Sequence, residues 1–517
     1  MLTAMPRAYR AREGRWWHRV SDLQLTVVVG HLILGVWTRN IMLGFAVALA
    51  CVTLSTLRLV VPLCVLFVVV GSVLSARSWQ QVQPQLLGRY SGLARLMSDP
   101  TPRAGVLQTV FEIGGQRYET WARGSPRRRL TDLLAGEYVW VTGDLVALTG
   151  TGAHRAAIRH VVGRFDPDAI GDVSPGSPFD RASNRVRRLL AKSALALRPP
   201  EDALFAGLVI GDDRYEPPEM IQQFRSSGMS HLTAVSGQNV AFVLAAAAPL
   251  LRRLRAWWRW LATVGLIIWF VALTRFEPSV LRAGCMAAIS ATGYLLGRER
   301  PPSRILPLAI GILVLIDPLL VWSVGFWLSV GATGGVAIVA PRLASLIPGP
   351  QWARDPVAVT IGAQIGVAPV SLLVFGSLPI VSIPANLLAV PVAGFVMLYG
   401  LPAGILAGAL PGWAGSLVQL PSSIGTRWVA TVAALASRIE PSAPWPFVLW
   451  TAVAVGLSFM WLQRWSRQRR WRSGQTGASD GSLERTEPST ADRQCCDLEV
   501  SSAKPNRMDT APTPKAR

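Results

Sequence analysis

Lysine is almost missing from this chain: of 51 basic residues only Lys192, Lys504 and Lys515 are lysines. Arginine in such excess suits bidentate contacts with phosphate, although GC-rich coding writes the same bias. Histidine is scarce too. His18, His31, His154, His160 and His231 form no His-x-His or His-Glu-x-x-His spacing, which argues against metal catalysis and predicts no metal site. No glycine-rich loop precedes a Lys-Ser or Lys-Thr pair, because Lys192-Ser193 follows Leu-Leu-Ala, so an ATP-driven pump is excluded. Cysteine is absent between Arg77 and Pro200, and that segment can hold no internal disulfide. Charge itself is short: 16% of residues are charged, against about a quarter in soluble domains.

What fills the space is apolar. Half of the 517 residues are hydrophobic and the mean hydropathy is +0.36, which places the chain among membrane proteins. Windows such as Leu59 to Ser75, Leu232 to Leu251, Trp257 to Leu273 and Val357 to Phe375 approach the roughly 20 apolar residues that span a bilayer, and about ten to twelve such segments are expected. The formal charge of +21 must therefore sit in loops, tails and any soluble domain. Cys51, Cys64 and Cys285 lie in apolar segments and read as packing residues.

Residues 1–22 are basic and lack a small-residue cleavage signature, so they read as a cytoplasmic anchor. Residues 23–76 hold the apolar stretches Leu23 to Trp37, Ile41 to Leu57 and Leu59 to Ser75; three crossings would place the following segment outside. Residues 77–165 change to short alternating runs broken by glycine and proline, the signature of a small barrel such as an OB-fold. Residues 166–202 are a linker in which Asp180 to Leu197 forms an amphipathic helix suited to a membrane surface. Residues 203–464 are a transmembrane core, oriented by cytoplasmic loops carrying Arg252, Arg253, Arg255, Arg298, Arg300 and Arg304. Residues 465–517 are a basic and then polar cytoplasmic tail with the composition of a disordered segment. The fold expected is thus a polytopic α-helical membrane protein with an inserted small all-β, OB-fold-like extracytoplasmic domain.

From Arg77 to Pro200 there are 18 arginines and lysines against 10 acidic residues. Arg127, Arg128, Arg129, Arg155, Arg159 and His160 are the candidate nucleic-acid contacts, although basic patches often serve only as solvated or lipid-facing surfaces. In the core, a polar run sits against and inside an apolar helix: Asp212, Asp213, His231, Ser236, Gly237, Gln238 and Asn239. Polar groups in a span are costly and usually face a cavity or a partner helix, and helix-helix hydrogen bonding around a kink at Gly237 is the plain alternative. Glu277 and Arg282 could pair across one helical turn or line a path, and Asn386 lies in another polar interruption. Ser236 and His231 could form a hydrolase dyad only if the chain breaks between them, because five residues on one helix set them about 140° apart.

Several of these runs carry a resemblance. HLTAVSGQNV (His231 to Val240) after Gly211-Asp212-Asp213, FEPSVLRAG (Phe276 to Gly284), Asp317-Pro318 with GFWLSV (Gly325 to Val330), and SIPANLLAVP (Ser382 to Pro391) resemble, in order, the motifs of the ComEC competence family. GLARLMSDP, LLAGEYVWVTGDL and RHVVGRF, within Gly92 to Phe165, are similar to the family's OB-fold. The resemblance implies passage of one DNA strand across the cytoplasmic (inner) membrane during natural transformation. It also implies DNA-uptake partners, among them a separate nuclease and a cytoplasmic motor, because the chain shows no C-terminal metallo-hydrolase motif. Many members read Gly-Leu-His-Val where this chain has Gly237-Gln238-Asn239-Val240, and a glutamine where Trp327 stands. No enzyme activity and no cofactor are expected.

The alternative to a channel for single-stranded DNA is an ion-coupled secondary transporter of a small solute, with Asp212, Asp213, Glu277 and Asp317 as ion sites. A third reading is a membrane scaffold that recruits DNA without conducting it.

Overall fold

The computed structural model describes residues 21–38, 42, 60–233, 237–441, 445–446, 448–452, 455–456 and 463. The basic N-terminus, nearly all of Ile41 to Leu57, Ser236 and the tail from 465 onward lie outside the described residues. Among the described residues two helices lead, α1 (Asp22–Thr38) and α2 (Val61–Gln81). Their axes approach closely because Gly35 and Gly71 have no side chain: a Cβ on Gly35 would overlap the Val68 carbonyl.

The β domain follows, with strands β1 (Gly88–Leu96), β2 (Thr101–Arg103), β3 (Val106–Ile113), β4 (Gln116–Ala122), β5 (Tyr138–Ala147) and β6 (Val161–Ser174). The β3–β4 hairpin is written locally. Gly114 and Gly115 both take positive φ, as a tight two-residue turn requires, and Ile113 pairs with Gln116 across it. Period-two alternation then points Leu107, Phe111, Ile113, Tyr118 and Ala122 inward. The strands are ordered β1-β5-β6-β4-β3-β2, and β1 also pairs with β3, so five strands close on themselves. Every pairing is antiparallel except β4 with β6. Phe111 and Phe165 meet edge-on at 5.9 Å in the centre. The β structure extends past the expected boundary at residue 165, because β6 continues to Ser174 to pair with the whole of β5.

Two short helices punctuate the strands, α3 (Gly124–Leu130) and α4 (Gly150–Ala157). Helix α5 (Pro178–Ala194) starts at a capping box: the Asp180 backbone N–H donates to the Ser177 hydroxyl while the Ser177 N–H donates to the Asp180 carboxylate, each at 3.2 Å. Then come α6 (Glu201–Ile210), α7 (Pro218–Ser226), α8 (Gly237–Leu251), α9 (Ala256–Leu273), α10 (Pro278–Leu295), α11 (Pro302–Ile316), α12 (Val324–Leu346), α13 (Gln351–Phe375), α14 (Ser382–Ala409) and α15 (Gly412–Ile439).

Five of the described helices are long and apolar enough to cross a membrane: α2, α9, α12, α13 and α14. Helices α1, α8 and α11 are apolar but shorter. Hydropathy predicts about ten to twelve spans for the whole chain, of which the one at Ile41 to Leu57 lies almost wholly outside the described residues. Helices α12 and α13 touch backbone to backbone, since Gly331 and Gly335 face Gly366 and Gly362 and a Cβ at any of these would strike the opposing chain. Close approach at small residues is how packing is gained where lipid supplies no hydrophobic drive.

The amphipathic helix differs from expectation in its surroundings. Its apolar side is covered by protein rather than turned to lipid: Leu190 packs at Gly404, the Leu189 carbonyl lies against Gly408, and Gln419 Nε2 donates to Ser193 Oγ at 3.0 Å.

Candidate functional site: a charged junction beneath the β domain and a polar core

Where the β domain meets the helical core, five charged side chains interlock. Arg187, on the inner side of α5 and 4% exposed, forms ion pairs with Asp99 Oδ2 at 2.9 Å and with Asp212 Oδ2 at 3.1 Å, and donates a hydrogen bond to the Leu273 carbonyl at 3.0 Å. Arg275 grips the other side of Asp99 through two hydrogen bonds of 2.8 and 3.1 Å and also reaches Asn184 Oδ1. Arg214 holds Asp212 through two bonds of 2.6 and 2.7 Å. Asp99 further accepts the Ala135 backbone N–H at 2.8 Å. Burial alone would raise the Asp99 carboxyl, but Arg187 and Arg275 beside it hold it well below the usual carboxylate range. Asp212 is shifted the same way against the same burial, by the hydrogen bonds of Arg214 and the charge of Arg187.

The network joins the loop after β1, helix α5, the loop after α6 and the α9–α10 loop into one unit. Asp99, Arg187, Arg214 and Arg275 stand outside the site expected from sequence. No local pattern marks them, because their partners lie far away along the chain. Two further links tie the domains. His160 Nε2 lies 3.0 Å from Asp317 Oδ2, and Asp317 also accepts the Leu319 N–H. Trp79 stacks on His154 at 4.8 Å and meets Trp322 edge-on at 6.1 Å.

Asp213 and Glu216 lie in the same loop as Asp212, and Asp213 feels the charge of Arg103 of the β domain. Glu216 is buried against Gly207, and its Oε1 has no hydrogen-bond partner among the described residues. Burial, then the charges of Asp213 and Asp212, push its carboxyl up to about 8. Between its ordinary value of 4.5 and about 8 the folded protein keeps a proton that the unfolded chain has released, so stability falls as pH rises through that window. Glu216→Gln is expected to flatten this slope, leaving wild type less stable than the variant near about pH 8 in thermal unfolding followed by tryptophan fluorescence. An unchanged slope would mean that Glu216 is solvated.

The polar residues of the core separate into two places. Gly237 opens α8 directly beside Arg282: a Cβ there would lie 3.0 Å from Arg282 Nη2 and 2.9 Å from Ala283 Cβ. Arg282 is 5% exposed, donates to Ser329 Oγ at 2.9 Å and lies 3.1 Å from Met286 Sδ. It has no ion-pair partner among the described residues. Glu277 forms no ion pair with it among the described residues: Glu277 stands exposed at the residue before α10, while Arg282 reaches inward to Ser329 of α12. Asn239 is 2% exposed and its Nδ2 reaches the Leu208 carbonyl at 3.3 Å. Asn386, on α14, is buried, and its Oδ1 has no hydrogen-bond partner among the described residues. Gln238 and His231 are exposed, His231 in a single helical turn. Trp327 donates its indole N–H to the Val321 carbonyl at 2.7 Å.

The candidate phosphate contacts of the β domain divide as well. Arg127 and Arg129 donate to the carbonyls of Gly105 and Ile170, and Arg159 stands 3.7 Å from Glu119. Arg128 and Arg155 are exposed and unpaired among the described residues. No cluster of three or more His, Cys, Asp or Glu suited to a metal occurs among the described residues.

The family model described as "Competence protein" matches residues 208–467, half of the chain. "ComE operon protein 3" of Bacillus subtilis (strain 168) is 26% identical over 253 residues, covering 48% of this chain and 32% of that protein. "Uncharacterized protein YcaI" of Escherichia coli (strain K12) is 30% identical over 258 residues, covering 46% and 33%. "Competence protein ComA" of Neisseria gonorrhoeae is 27% identical over 225 residues, covering 40% and 30%. The chain thus spans about a third of the length of these curated relatives. No solved structure matches it at a significant level.

Proposed function

This chain belongs to the competence protein family, and from that premise we propose that it acts in DNA uptake, as a channel passing single-stranded DNA across the cytoplasmic membrane during natural transformation. The observation that carries the proposal is the family match over residues 208–467, which contains the whole polar core. The core chemistry supports it. Arg282 is a buried cation without a carboxylate partner among the described residues, and Asn239 and Asn386 are neutral polar groups on neighbouring elements. A cation can attract a phosphate, and neutral amides let it move on.

The β domain is read as an OB-fold because five strands close in a ring with one parallel pair. That fold commonly presents strands to single-stranded nucleic acid. Its placement outside the cell is supported by the polarity of α9 and α10. The arginines at 252, 253 and 255 precede α9 and those at 298 and 300 follow α10, whereas the α9–α10 turn, with Leu273 and Arg275, meets Arg187 and Asp99 at the β domain. Basic loops mark the cytoplasmic side. The protein in this reading is a multi-pass inner-membrane component that works with a separate nuclease and a cytoplasmic motor.

Labelled DNA entering the cytoplasm tests the proposal. A deletion strain is expected to lose uptake, wild type to restore it, and Asn239→Leu, shown to insert normally, to fail. Uptake by the deletion strain equal to wild type in a transformable host would defeat the channel. The ion-coupled transporter would then lead, with Glu216 rather than the ion-paired Asp212 as its proton site.

A further inference from the structure

Opposite its buried face, α5 carries a second feature. Arg181, Arg185, Arg188 and Lys192 are all exposed and follow one another by three or four residues, so they form a single stripe about 16 Å long. The stripe lines a groove of about 470 Å³ whose lining also includes Gly176 and Gly408. The one carboxylate in the lining, Glu137, is already engaged by Arg188 and by the Leu134 N–H. Arg181, Arg185 and Lys192 have no ion-pair partner among the described residues. The groove is thus a concentrated positive site awaiting an anion.

Its depth identifies the anion. Gly408 lies in the last turn of α14, a helix of membrane-spanning length. Five residues further on, at the second position of α15, Trp413 is 75% exposed, between the exposed Leu406 and Leu417. Exposed leucines beside a tryptophan at a helix end mark the boundary between hydrocarbon and headgroups, where lipid phosphates reside. The lining contains no aromatic ring on which a DNA base could stack.

We propose that this groove binds the phosphodiester headgroup of an anionic glycerophospholipid, held by Arg181, Arg185 and Lys192, with α5 anchored to the protein on its other side. The site does not depend on what the core conducts.

The test uses the full chain in neutral detergent, titrated with phosphatidylglycerol or phosphatidylcholine and read by native mass spectrometry. Wild type is expected to favour phosphatidylglycerol. The double variant Arg185→Gln/Lys192→Gln is expected to lose roughly twenty-five-fold in phosphatidylglycerol affinity, about fivefold per cation, with its phosphatidylcholine binding and melting temperature unchanged. Arg253→Gln, in the loop before α9, should keep wild-type affinity. Equal affinity for the two lipids in wild type, no loss in the double variant, or an equal loss in Arg253→Gln would each overturn the proposal. Displacement of the lipid by an oligothymidylate, dependent on Arg185 and Lys192, would assign the groove to DNA instead.

Discussion

Asp99→Asn is expected to destabilise the folded protein by about 3–5 kcal/mol, the usual consequence of removing one member of a buried ion network. The charge balance explains why this position is the most sensitive. Arg187, Arg214 and Arg275 share two carboxylates, Asp99 and Asp212. Neutralising Asp99 leaves three guanidinium groups around one carboxylate, and Arg187 is almost wholly buried. An asparagine keeps an oxygen for the Ala135 N–H but turns an amide donor toward arginines that are donors themselves. Arg187→Met leaves a balanced set instead, with Asp99 on Arg275 and Asp212 on Arg214, and is expected to cost less than half as much. Thermal or denaturant unfolding in detergent checks the order; a larger loss for Arg187→Met would show that the balance of charge does not govern the junction. Because the arginines hold Asp99 below its ordinary value near 3.8, its contribution is complete above that pH and is lost only as the pH falls below it.

Arg282→Leu is expected to move stability and transport in opposite directions. A hydrogen-bonded phosphate contact with a charged group is worth about 1.5–3 kcal/mol, so uptake of labelled DNA should fall roughly ten- to hundredfold. Stability should hold or rise, because the substitution removes a buried cation that lacks a carboxylate among the described residues. Arg282→Lys keeps a point charge without the planar fork and should fall between. Parallel losses of uptake and of stability in Arg282→Leu would make Arg282 a structural residue bonded to Ser329, with no part in conduction.

Much of the architecture was legible in local sequence, for a local reason. The alternation of Val106 to Ala122 around Gly114-Gly115 specifies a hairpin from nearest neighbours alone, and the observed register follows it. The apolar windows at Leu59 to Ser75 and Val357 to Phe375 mark spans, which α2 and α13 overlap, because hydropathy is a property of single residues added along a helix. The ordered motifs from Asp212 to Pro391 carried the family. Asn239 and Arg282 stood out in the sequence because a polar group within an apolar segment is costly wherever it lies, and both are buried in the fold.

Which charges meet was decided only by the tertiary structure. Asp212 read as a group lining a path, yet Arg187 and Arg214 engage it at the domain junction. His160 read as a phosphate contact, yet it reaches Asp317. Helix α5 shows a clear amphipathic pattern, and that pattern states that one face must be covered without stating by what; α14 covers it, not lipid. Hydrophobic periodicity and turn chemistry are short-range, so the sequence by itself determined the elements, the membrane class and the family. Ion pairing and helix coverage depend on contacts between residues far apart in the chain, and only the folded arrangement of β domain on helical core chose those partners.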